Sequence, residues 1–186
     1  MKISELADCL KDYTYISLYK IRRYAMELLP PDPLAMRQGG TFRKIDQKDG
    51  FIIFLGIHLV TRMSFSMKDA KAIINDIKPW MMEKGLFPGV KFKPDPPAKD
   101  YDILIKRAST PSGFWYEVKG HIQKRAIKIQ GQSAVEERYT ETTILKPPVK
   151  GMFLDEFNVS ILKISILFKE YLFKVGGIDA LQDFSS

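Results

Sequence analysis

The sequence predicts an α+β chain on three observations. Apolar residues recur at helical spacing up to about residue 80, four prolines crowd the stretch between Gly85 and Asp100, and apolar and polar residues alternate from residue 101. Fixed φ angles and missing N–H groups at Pro88, Pro94, Pro96 and Pro97 prevent both a continuous helix and a central strand. A helical module is therefore expected over 1–84, a linker over 85–100, and a β-rich module with a C-terminal helix over 101–186. With 186 residues, 45% of them hydrophobic, the chain is long enough to bury a real core.

Each helix of the first module is announced locally. Ser4 ahead of Leu6, Ala7 and Leu10 predicts a short helix capped at or near Ser4. A second helix runs from about Ser17 to Glu27, with Leu18, Ile21 and Ala25 or Leu28 on one face. Tyr19, Lys20, Arg22 and Arg23 occupy much of the other face, and Pro30 with Pro31 ends the helix. Gly39 and Gly40 supply the positive φ that a tight hairpin needs over 38–44. Asp46 is then an N-cap, with Asp49 at the third helical position, for a third helix through the apolar run 51–60, which should be buried on most sides. Ser66 caps a fourth, with Ala70, Ile73, Ile74 and Ile77 at helical spacing up to Pro79.

In the second module alternation recurs at 102–106, 115–118 and 126–129, and Pro111, Ser112 and Gly113 mark a turn between the first two runs. Three or four antiparallel strands in a meander are expected. Over 153–175 the apolar positions fit a helix better than a strand on length alone, with Gly176 and Gly177 at its end. Phe114, Trp115 and Tyr116 read as sheet core or as the lining of a small-molecule pocket.

Twenty-nine Lys and Arg against 22 Asp and Glu give a net charge of +7, which favours acidic partners such as nucleic acid or an anionic membrane. The excess is spread over both halves, so no basic tail accounts for it. The lone Cys9 forms no internal disulfide, and with only His58 and His121 beside it no zinc cluster is expected. A reducing cytoplasm is the expected location, since the opening residues lack the apolar stretch of a signal peptide before Asp8, Lys11 and Asp12. The apolar runs 51–60 and 159–175 are too short and too often interrupted by charge, respectively, for a membrane span. Nucleophile elbow, phosphate loop and paired catalytic carboxylates are all missing, so neither catalysis nor a cofactor is expected. Cys9 and His58 read as core residues, and His121 beside Gly120 as an exposed turn residue.

The order of parts carries the functional signal. A short helix, a basic and aromatic helix, a double proline, a glycine hairpin bearing Arg43 and Lys44, and two further helices describe a winged helix-turn-helix. A helix presenting Tyr19, Lys20, Arg22 and Arg23 suits the major groove, while the hairpin reaches phosphates through Arg37, Arg43 and Lys44. The whole is thus read as an N-terminal winged helix-turn-helix followed by a small antiparallel β-sheet module with a long C-terminal helix.

These residues also resemble the N-terminal domain of the MerR family of bacterial transcription regulators over about residues 1–80. Met1, Lys2, Ile3, Ser4, Glu5, Leu6 and Ala7 are similar to that family's first helix. Ile21, Arg22, Arg23 and Tyr24, followed by Glu27, Leu28, Leu29, Pro30 and Pro31, resemble its recognition helix and exit. Phe42, Arg43, Lys44, Ile45, Asp46 and Asp49 resemble the wing strand and the helix start after it. Residues 63–68 resemble the turn into its fourth helix. The resemblance implies sequence-specific binding of double-stranded DNA as a homodimer, with Arg22, Arg23 and Arg43 as contacts. The family continues into a long dimerisation helix, which Pro79 and the linker are expected to forbid here; residues 153–175 are therefore the candidate dimer element. Clustered cysteines of the metal-sensing members are missing, and the β-rich module is left to dimerise or to sense an unidentified small molecule. The competing expectation is a protein-interaction adaptor without DNA binding, in which the same helical module packs on a partner and the β-sheet supplies the recognition surface. A plainer reading makes Tyr19, Lys20, Arg22 and Arg23 a solvated helix face and Arg43 and Lys44 guards of a hairpin edge.

Overall fold

The computed structural model describes residues 1–14, 16–31, 44–90, 100–110, 113–124, 137–146 and 153–176. Among them run α1 (Ile3–Thr14), α2 (Leu18–Leu28), α3 (Gln47–Thr61), α4 (Met67–Glu83), β1 (Asp100–Thr110), β2 (Gly113–Lys124), β3 (Glu137–Lys146), β4 (Phe153–Leu162) and α5 (Ile164–Gly176). The chain is α+β. It divides into two compact units, one of Met1–Phe92 with Leu167–Ser186 and one of Lys93–Ile166.

The helical unit is assembled around α3. Asp46 accepts a hydrogen bond from the Asp49 N–H at 2.7 Å and starts the helix. Phe51, Ile53, Phe54, Leu55, Ile57 and Leu59 are wholly buried. A helix covered on nearly all sides needs apolar residues around its circumference, which is why this segment lacks a polar stripe. Helices α1, α2 and α4 pack against it. From α5, the rings of Phe168 and Tyr171 each lie 5.2 Å from that of Phe51, and the Tyr171 hydroxyl donates to the Gln47 carbonyl at 2.8 Å. Gly50 makes room for this contact, because a Cβ there would collide with the Tyr171 hydroxyl.

In the sheet unit the strand order is β3-β2-β1-β4, all neighbours antiparallel. Registers Ile103 with Val118, Ile105 with Tyr116 and Ile103 with Leu162 put these side chains on one face, and all are buried. The opposite face carries Lys106, Trp115, Glu117, Val159 and Ile161. There the Lys106 ammonium sits 3.1 Å from the Glu117 carboxylate and 4.2 Å from the Trp115 ring centre.

Several expectations are corrected. The helix over 153–175 is instead β4 followed by the shorter α5. Length was the wrong arbiter: β1 has an edge to pair, and the β-branched Val159 and Ile161 suit a pleated strand beside it. The grouping of 101–186 likewise gives way, since α5 from Leu167 onward belongs with the helices, drawn there by Phe168 and Tyr171. Pro79 does not end the fourth helix but lies inside α4, exposed, with Trp80 and Met81 buried beyond it. Packing of those two side chains outweighs the one hydrogen bond that proline removes. The four-stranded sheet agrees with the expected strand number but is not a simple meander, because β4 pairs with β1 rather than with β3. The expected strand at 126–129, however, lies outside the described residues. His121 is a β2 residue, not a turn residue, and its Nε2 lies 3.2 Å from the Asp102 carboxylate.

Candidate nucleic-acid interface

Ser17 opens α2 in extended conformation and accepts a hydrogen bond from the Lys20 N–H at 3.4 Å. Leu29 closes it, driven to extended geometry by the proline that follows. Between these ends Ile21, Tyr24, Ala25 and Leu28 are buried, and they hold the helix to its neighbours. Burial raises the Tyr24 hydroxyl above its ordinary pKa, against the opposing effect of Arg23. A methyl group at Gly56 of α3 would collide with Leu28, so the two helices approach as closely as their side chains allow.

All of α2's candidate contacts are exposed: Tyr19, Lys20, Arg22 and Arg23. At about 100° per residue they fall, together with Met26, within an arc of about 160° opposite the buried stripe. Tyr19 is 76% exposed and Met26 82%, the two most exposed large apolar side chains among the described residues. Met26 was not among the sequence candidates, because a methionine between polar neighbours carries no charge signal. A physical signal existed in its spacing, seven residues after Tyr19.

A second group of cations arises by pairing. Lys2 and Lys44 form an isolated antiparallel bridge, framed by the Met1 amino group donating to the Ile45 carbonyl at 2.8 Å and the Ile45 N–H donating to the Met1 carbonyl at 2.9 Å. Both lysines are exposed. Like charges placed opposite one another across strands repel, and an anion between or beside them relieves that cost. Lys2 was likewise missed, since nothing local ties it to a residue so far along the chain. Arg37 and Arg43 lie outside the described residues.

No family model, curated protein or solved structure matches the chain. Its chemistry must therefore be read from its own residues.

Elsewhere in the helical unit, an open cleft is lined in part by Glu5, Cys9, Asp46 and Gln47. Its two carboxylates already serve the backbone: Glu5 accepts from the Lys2 N–H at 2.7 Å, as Asp46 does from Asp49. Cys9 is half-buried, more open than the core position expected of it. Among the described residues, no group of three or more His, Cys, Asp or Glu is arranged to hold a metal ion. Nor is any described helix long and apolar enough to cross a membrane.

Proposed function

We propose that the chain is a sequence-specific double-stranded DNA-binding protein of MerR-like type, a cytoplasmic bacterial transcription regulator whose residues 1–84 form a winged helix-turn-helix. The observation that carries this reading is α2 itself: one face anchored by Ile21, Tyr24, Ala25 and Leu28, the other presenting Tyr19, Lys20, Arg22 and Arg23 to solvent. A rigidly seated helix with a basic outer face is the element that a major groove accepts. Lys2 and Lys44, with Arg37 and Arg43, supply phosphate contacts in this reading. No catalytic step is part of it.

Homodimerisation through 153–175 belongs to the same proposal. It is supported by the exposed Val159 and Ile161 on β4, an outer strand of the sheet. Trp115, whose indole N–H is buried without an acceptor, supports a ligand-sensing role for its sheet face. The exposed Val159 and Ile161 equally favour the adaptor reading, in which the helical module packs on a partner protein and the sheet supplies the recognition surface, without DNA binding.

Titration against a labelled duplex pool at several salt concentrations tests the choice. DNA binding predicts an affinity that falls steeply with salt, with a logarithmic slope of about −0.9 per neutralised phosphate. Absence of binding at low salt would leave the adaptor reading in possession.

A further inference from the structure

We propose that Tyr19 and Met26 read thymine methyl groups, so that the preferred duplex carries two thymines about three base-pair steps apart on either side of the base pairs facing Arg22 and Arg23. This inference rests on the DNA-binding reading of α2 and adds the chemical character of its target. Single exposed apolar residues are common on protein surfaces and need no explanation. Here two large ones, 76% and 82% exposed, stand on the one helix face that also carries the arginines. Nothing within the helical register covers them, because the buried stripe of α2 is on the opposite side.

The major groove contains one prominent apolar group, the C5 methyl of thymine, and apolar side chains discriminate thymine by covering it. Seven residues of α-helix span about 10.5 Å, and successive base pairs rise about 3.4 Å, so side chains at 19 and 26 of a helix lying along the groove meet positions about three steps apart. Arg22 and Arg23 fall between them in sequence and within the same arc. The guanidinium fork matches the paired acceptors of guanine, whereas Tyr19 and Met26 match methyls, so one helix face carries both kinds of base readout. Met26 is unbranched and polarizable, which lets it follow a methyl without a fixed rotamer.

The test begins with selection of duplexes from a random pool by the full-length protein, followed by replacement of thymine with uracil at each enriched thymine. That replacement removes the methyl alone and leaves every hydrogen bond of the base pair in place. Expected is a loss of about fourfold in affinity at each of two positions about three steps apart, the value of one buried methyl. Met26→Ala should erase the uracil penalty at one position and Tyr19→Ala at the other, while Tyr19→Phe retains it. Enriched duplexes that bind equally well with uracil, or that lose affinity equally in wild type and variants, would overturn the proposal while leaving DNA binding intact. Recovery of no enriched duplex would overturn both.

Discussion

Met1 and Ile45 exchange both of their backbone hydrogen bonds, at 2.8 and 2.9 Å, and thereby tie the start of the chain to the segment that enters α3. Ile45 is 1% exposed. Its buried side chain and its paired amide both fasten this segment. Ile45→Ala should cost about 2–5 kcal/mol of stability, read as a fall in denaturation midpoint. In hydrogen exchange the Ile45 amide should be protected well beyond that of the exposed Lys44, and an Ile45 amide exchanging as fast as Lys44 would argue against the pairing.

The contact between Gly56 and Leu28 sets how α2 is seated. Gly56→Ala should destabilise by about 1–3 kcal/mol, because the added methyl enters the space of a buried leucine. Combining it with Leu28→Ala should cost less than the sum of the two single changes in chemical denaturation. Simple additivity would mean that the helices do not meet there.

On DNA, the cations of α2 and those of the Lys2–Lys44 bridge should behave differently. Arg22→Ala should cost about 1–3 kcal/mol on the preferred duplex and relax its specificity. Lys2→Ala and Lys44→Ala should each weaken all duplexes alike and reduce the salt slope by about 0.9. A specificity change from the lysine variants would contradict their assignment to phosphates.

His58, half-buried in α3, has its pKa lowered by burial first and by the Arg62 charge second. The unfolded chain therefore binds this proton more readily than the folded one. Stability from this group is fully present above the ordinary histidine pKa of about 6.5 and is lost as pH falls from there through the lower folded value. His58→Gln should flatten this part of the stability profile, measured by urea unfolding between about pH 7.5 and 5. An unchanged slope would assign the acid sensitivity to other groups.

The Tyr171 hydroxyl makes one hydrogen bond, to the Gln47 carbonyl, inside a crowded aromatic cluster. Tyr171→Phe should lower stability by about 0.5–1.5 kcal/mol while leaving the ring packing in place. A larger loss, measured by thermal unfolding with the circular dichroism spectrum unchanged, would mean that the hydroxyl orders more of the α3 start than this bond alone.

Where the decisive interaction lies within a few residues, the sequence alone was sufficient. Asp46 and Ser66 cap the helices expected of them, α2 begins beside Ser17 and ends before Pro30, and the apolar run in α3 is buried as its composition demands, whereas Ser4, the expected cap of the first helix, lies inside α1. The outward face of α2 was readable for the same reason, because helical periodicity divides polar from apolar residues without reference to any neighbour. Tertiary structure decided whatever depends on a partner distant in sequence. Residues 153–162 became strand because β1 had an edge to fill, α5 joined the helices because Phe51 received its aromatic rings, and Pro79 was tolerated because Trp80 and Met81 had a core to enter. Lys2 met Lys44 only through the backbone pairing beside it. Local propensities differ by a few tenths of a kcal/mol per residue, whereas pairing an edge or burying an aromatic ring contributes several times as much, so the distant partner prevails wherever the two disagree.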